Sequence, residues 1–231
     1  MRRLRHLAWI GVTVAWLPLA AGCGEGEGGA AAEAPTASIN DGSQPSAETP
    51  AENPAAPAKK DDDRPVVRID TSVGTITVQL DRQRTPQTVD NFLAYVERGF
   101  YDATVFHQVY EGYAVLAGGF DARLVPKEPR APIFNEAHLG LRNRRGTIAM
   151  ARDIDSIDSA TSIFFFNVRD NPELDHQDRS SPESYGYCAF GEVIEGMDVI
   201  DRIARAAIHD TAAIDHTPVE PILIQSIRRL R

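Results

Sequence analysis

Two cysteines, Cys23 and Cys188, are all that the 231 residues contain. They share no CxxC or Cys/His ligand spacing, which argues against a disulfide framework and against a zinc site. Positive charge is also short: 24 Lys and Arg stand against 33 Asp and Glu, a formal net charge of −9. Phosphate binding needs a basic face, so no nucleic-acid partner is expected. No G-x-S-x-G run occurs, which leaves a nucleophile-elbow hydrolase unsupported. Asp153, Asp155 and Asp158 lack the glycine and closing glutamate of a calcium loop and read as a solvated turn. Gly24, Gly26 and Gly29 match a dinucleotide fingerprint in letters only, since no strand precedes them and no helix follows. Neither a metal nor a cofactor is expected. What remains is the composition of an ordinary soluble protein, 42% hydrophobic and 25% charged.

The chain divides by composition into three segments. Residues 1–22 read as an export signal: Arg2, Arg3, Arg5 and His6 precede an uncharged stretch, Leu7 to Gly22, shorter than the roughly 20 residues of a bilayer span. Leu19-Ala20-Ala21-Gly22-Cys23 resembles a bacterial lipobox, although the aliphatic residue sits one position early. It implies acylation of the Cys23 thiol and attachment to a membrane. Gly24 offers no acidic retention residue, which favours the outer membrane in a two-membrane cell. Residues 23–64 follow as a linker. From Gly24 to Arg64 there is no aromatic residue, and Ile39 is the single large aliphatic. Such a segment buries too little apolar surface to offset its chain entropy, so it is expected to stay disordered, spanning about 35 Å.

Residues 65–231 are the expected folded domain. Val67 and Ile69, then Ile76, Val78 and Leu80, alternate with polar residues across a turn at Gly74, the pattern of a hairpin. Thr85-Pro86 reads as a helix start with a capping hydroxyl; Val89, Phe92, Leu93 and Val96 share a face, and Gly99 ends the helix. Strand-like runs follow at 104–109, 113–117, 146–151, 163–168 and 187–194. A second helix carries Met197, Ile200 and Ala204, and residues 222–227 close the chain as a strand. Many short strands with two helices predict a mainly β protein, a closed barrel with plugged ends.

Ordered blocks then carry a resemblance: Gly99-Phe100-Tyr101-Asp102, Phe106-His107, Gly118-Gly119, Arg145-Gly146-Thr147-Ile148-Ala149-Met150-Ala151, Ser159-Ala160-Thr161-Ser162, Phe164-Phe165-Phe166-Asn167 and Phe190-Gly191-Glu192-Val193. In this order and spacing residues 66–231 resemble a bacterial cyclophilin. The resemblance implies an eight-stranded antiparallel barrel with a helix at each end and an exposed groove on its wall. It also implies isomerisation of X-Pro peptide bonds, with proline-containing peptides or unfolded exported proteins as partners and a monomeric state.

Isomerisation must break amide resonance, an uncatalysed barrier of about 18–20 kcal/mol. Twisting localises a lone pair on the prolyl nitrogen, and a donor aimed there stabilises the transition state more than the ground state. In cyclophilins that donor is an arginine after the Phe-His pair. Here the position is Gln108. An amide still donates, but a neutral hydrogen bond is roughly half as strong as a charge-assisted one. The resemblance also assigns His107, Tyr113, Ala114, Leu116, Ala151, Ile163, Phe165, Leu174 and Tyr187 to substrate binding. Leu116 and Ile163 replace glutamines of the family, Tyr113 stands in a phenylalanine place, Ala114 in a methionine place, and Glu173 replaces an aromatic. Polar groups are thus exchanged while an apolar floor is kept. Two functions follow as alternatives: an isomerase of reduced activity assisting exported proteins, or a tethered module that binds proline-containing peptides without turnover. Arg144, Arg145 and Arg152 stand near pocket residues in sequence and are candidates to supply a substitute guanidinium.

Overall fold

The computed structural model of the chain describes residues 63–212 and 214–231. The export signal, Cys23 and nearly all of the linker lie outside the described residues.

Eight strands close into an antiparallel barrel: β1 (Val66–Thr71), β2 (Gly74–Leu80), β3 (Thr104–Tyr110), β4 (Ala114–Asp121), β5 (Thr147–Met150), β6 (Phe164–Asn167), β7 (Ala189–Glu195) and β10 (Leu223–Arg229). Around the wall the order is β1-β10-β3-β4-β6-β5-β7-β2. Two further strands, β8 (Ile208–His209) and β9 (Thr217–Pro218), pair only with each other. Helices α1 (Pro86–Glu97) and α3 (Met197–Ala204) are the two that the apolar periodicity predicts. A third, α2 (Pro182–Tyr185), is a single turn held by Ser181, whose hydroxyl accepts from the Ser184 amide while the Ser184 hydroxyl accepts from the Ser181 amide. Four residues carry no helical period, so this element leaves no hydrophobic signature in the sequence.

The hairpin forms as its alternation predicts, with Thr71 opposite Gly74 and Ile69 opposite Ile76. Inward side chains of the wall meet α1 at one aromatic cluster. The Phe92 ring stands 5.5 Å from Phe164 at 84° and 5.3 Å from Phe190. Tyr101 meets Phe164 edge-on at 5.4 Å. Such tilted pairs add about 0.5–1.5 kcal/mol each beyond burial. Gly118 allows β4 to press against this cluster: it holds φ +92°, and a Cβ there would lie 2.8 Å from Tyr101 and 2.9 Å from Phe164.

The expected cap of α1 takes another form. Thr85 turns its hydroxyl back to donate to the Asp81 carbonyl at 2.9 Å and makes no side-chain cap. Glu136, far along the chain, serves instead: its buried carboxylate accepts from the Gln87 amide at 3.2 Å, the Thr88 amide at 2.8 Å and the Thr88 hydroxyl at 2.7 Å. A carboxylate at a helix N-terminus meets both free N–H groups and the positive end of the dipole. The segment bearing Glu136 is thereby fixed beside the barrel.

Candidate peptide-binding groove

Because side chains alternate along a strand, the residues that skip the core define a second face. On β4, Val115 and Ala117 enter the core while Ala114 and Leu116 face outward. On β6, Phe164 and Phe166 enter and Phe165 faces out. The pairing then aligns one row across the wall: Gln108 of β3 opposite Leu116, Leu116 opposite Phe165, Phe165 opposite Ala149, and Ala149 opposite Ala189. Ala114, Leu116, Ala151, Phe165, Leu174 and Tyr187, all assigned from sequence, form one apolar cluster with Ala149 and Ala189. Tyr113 and Ile163 pack on it from the rim, as do Tyr110 and Leu141. Ala149, Ala189, Leu141 and Tyr110 are not among the residues that the resemblance assigns. For the two alanines the signal was there: each stands two residues from a chosen one, on the same strand face.

The expected exposed groove differs in one respect. Leu116, Phe165 and Ala114 are fully buried, and the half-buried rim of Tyr110, Tyr113, Leu141 and Ile163 lies over them. Ile163 packs both on this cluster and against β4, where a Cβ at Gly119 would lie 2.6 Å from it.

His107 and Gln108 lie where β3 slips register. Phe106 pairs with Ala117 and Gln108 with Leu116, so His107 is the extra residue of a bulge. Bulges re-aim side chains beside functional sites. Gln108 consequently reaches the outer row, half-buried, and its Nε2 donates to the Tyr110 hydroxyl and to the Asp215 carbonyl, each at 3.3 Å. An amide has two N–H bonds, and both are engaged. His107 is fully buried, its ring 4.6 Å from Phe120, and neither ring nitrogen has a hydrogen-bond partner of good geometry. It therefore lies beneath the groove and presents no surface to a ligand.

Burial holds the His107 imidazole down to about 3, against a weaker upward effect of the Val105 backbone. Unfolded, the same ring titrates near 6.5. Between these values the unfolded chain binds the extra proton, so stability is complete above about pH 6.5 and falls as the pH drops toward 3. At about 1.4 kcal/mol per pH unit, His107 is expected to remove about 2 kcal/mol between pH 7 and 5. Urea unfolding at the two pH values measures this. A His107→Leu variant that kept the same loss would refute the assignment.

Behind the floor runs a chain of buried asparagines. Asn143 Nδ2 donates to the carbonyls of Leu174 and Tyr187, both at 3.1 Å, and its backbone amide to Asp175 at 2.6 Å. Asn167 donates to Asn143 Oδ1 at 3.1 Å, and Asn171 to Asn167 Oδ1 at 2.8 Å and to the Tyr113 carbonyl at 3.2 Å. Three groove residues, Leu174, Tyr187 and Tyr113, thus hang on one network. Gly186 permits the close approach of Tyr187 to Leu174: at φ +75°, a Cβ would lie 2.6 Å from the Leu174 oxygen.

Of the three candidate arginines Arg144 is exposed, while Arg152 and Arg145 are committed to partners of their own. Arg152 stacks on Tyr187, 4.6 Å from the ring, and donates to the carbonyls of Gly186 at 3.2 Å, Asp153 at 2.8 Å and Pro182. Arg145 turns to Asp201 of α3 at 2.8 Å and to the Val168 carbonyl. A second guanidinium, unmarked in the sequence, lies on a groove tyrosine as Arg152 does: Arg169 stands 5.0 Å over the Tyr113 ring and pairs with Glu173 at 2.8 Å. Asp158 serves structure, accepting from the Asn135 amide at 2.8 Å. His138, in a turn, meets His176 and Tyr185 edge-on, with ring centroids 6.1 and 6.4 Å away.

Comparison with known proteins converges on one description. Residues 66–229 match the family model of cyclophilin type peptidyl-prolyl cis-trans isomerase/CLD. Peptidyl-prolyl cis-trans isomerase A of Dickeya dadantii is 44% identical over 165 residues, covering 71% of this chain and 84% of that protein. Peptidyl-prolyl cis-trans isomerase B of Escherichia coli is 41% identical, covering 70% and 98%. A crystal structure of a cyclophilin type isomerase from Cryptosporidium parvum superposes with a TM-score of 0.59 at 24% identity, covering 73% of this chain and 98% of that one. The same protein was also solved in the presence of the dipeptide Ala-Pro, with a TM-score of 0.57.

Proposed function

The chain belongs to the cyclophilin-type peptidyl-prolyl cis-trans isomerase family, and from that premise we propose that its groove binds X-Pro peptides and isomerises them slowly. The observation that carries this reading is the outward row of Gln108, Leu116, Phe165, Ala149 and Ala189. An apolar floor suits a proline ring, and the Cryptosporidium relative solved with Ala-Pro supports that class of ligand. At the donor position stands a neutral amide whose two N–H bonds are already engaged. Donation to a prolyl nitrogen first requires one of these bonds to break, which removes the preorganisation that makes such donors effective.

The clients in this reading are exported proteins, and the chain works on a lipid tether through Cys23. Partition into the detergent phase, lost in a Cys23→Ser variant, checks the anchor; unchanged partition would sink it. Turnover is tested by exchange spectroscopy on an X-Pro peptide with the full chain. Saturable binding with an exchange rate well below that of the Escherichia coli relative is expected; an equal rate would refute the reduced activity. The alternative, binding without turnover, draws on Leu116 and Ile163, which exchange polar groups for apolar ones. It predicts saturation with no acceleration at all.

A further inference from the structure

Among the described residues, the buried side-chain polar atoms without a hydrogen-bond partner are both ring nitrogens of His107, the Tyr113 hydroxyl, Asn171 Oδ1 and His216 Nδ1. They gather on one side of the molecule. Tyr113 belongs to the groove and His107 lies beneath it, Asn171 holds the Tyr113 carbonyl, and His216 stands 5.0 Å from Tyr110 at the rim. Native proteins rarely leave such atoms unpaired, because each costs its full desolvation. Tyr113 is the one whose chemistry suits a ligand. Its ring is half-buried against the apolar floor, and its hydroxyl lies out of solvent. Arg169 covers the face of the ring, anchored in turn by Glu173, and the Tyr113 backbone carbonyl accepts from the Val168 amide at 2.9 Å. Burial raises its pKa well above the ordinary tyrosine value, so the hydroxyl keeps its proton and remains a donor.

We propose that the Tyr113 hydroxyl, closed off from solvent in the free protein, is uncovered when the half-buried rim parts for a peptide and then acts as a specificity-determining donor, which hydrogen-bonds a main-chain carbonyl flanking the proline. This rests on the reading of the groove as an X-Pro site. The free protein bears an unpaired hydroxyl that the ligand satisfies, so selectivity arises from the pocket's own unmet bond. Sites built in this way discriminate strongly against ligands lacking the complementary group. The family's phenylalanine has no such atom.

The test is a protein-by-ligand cycle on the full chain. Affinities of wild type and Tyr113→Phe are measured for an X-Pro peptide and for its two thioxo analogues, in which one or the other flanking carbonyl oxygen is replaced by sulfur, a poorer acceptor. Tyr113→Phe is expected to weaken binding of the oxygen peptide about tenfold while leaving Tm equal or higher, since an unsatisfied group has been removed. One thioxo peptide is expected to bind wild type weakly and to lose nothing further in the variant. Equal affinities of wild type and variant, purely additive losses, or a lowered Tm with lost binding would each overturn the proposal while leaving the groove in place. Failure of wild type to bind the oxygen peptide would overturn the groove reading and this inference together.

Discussion

A Gln108→Arg variant is expected to isomerise X-Pro peptides about 10²–10³ times faster than wild type in kcat/KM, with little change in KM. Gln108 sits half-buried on the outer wall, so a longer side chain is accommodated without disturbing the core. The bulge at His107 already turns this position into the row of the floor. The glutamine amide has two N–H bonds, both spent on the Tyr110 hydroxyl and the Asp215 carbonyl. A guanidinium brings five, enough to keep both partners and still aim a charged donor at the prolyl nitrogen. Loss or gain of one preorganised donor of that kind is worth about 2.7–4 kcal/mol in the barrier. Because the interaction forms only as the amide twists, it changes kcat and leaves ground-state binding alone. Exchange spectroscopy on both proteins reads the ratio. A variant no faster than wild type, with an unchanged melting curve, would show that another feature limits turnover, and the covered floor would be the first suspect.

Asn143→Leu is expected to lose about 3 kcal/mol of folding stability, though the replacement nearly conserves volume. Asn143 is almost wholly buried, and its side-chain amide serves the Leu174 and Tyr187 carbonyls and receives Asn167. Leucine strands the Tyr187 carbonyl and one Asn167 N–H out of water, each costing about 1–3 kcal/mol, and leaves the Leu174 carbonyl only its bond from the Tyr187 amide. The losses share one network and do not add fully. Leu174 and Tyr187 are also held to each other through the Tyr187 amide at 2.9 Å, so the fold survives while the floor loosens. Peptide affinity should therefore fall with stability. Urea unfolding measures the first effect and titration the second; a loss under about 1 kcal/mol would show that the network is dispensable.

The barrel was legible because its signals are local. Alternation at Val67, Ile69, Ile76 and Val78 names a hairpin whatever surrounds it, and Phe92, Leu93 and Val96 name one helical face. The family resemblance singled out Phe165 from Phe164 and Phe166, but only pairing registers showed that Phe165 shares a row with Leu116 and Ala149. Long-range partners stayed hidden. Thr85 carries a capping hydroxyl by type, yet Glu136 caps the helix from a loop that no periodicity connects to it. Arg152, near the pocket in sequence, spends its donors on carbonyls, while Arg169 reaches Tyr113 without any motif to announce it.

By itself, then, the sequence determined the barrel, the family resemblance and the identity of the residue at the donor position, since periodicity and residue type depend on near neighbours alone. Tertiary structure decided whether those residues are available. It buried His107, engaged both N–H bonds of Gln108, laid a rim over the apolar floor and left the Tyr113 hydroxyl without a partner. Availability depends on what strands distant in the chain bring alongside, and hydrogen bonds and burial are set only when the wall has closed.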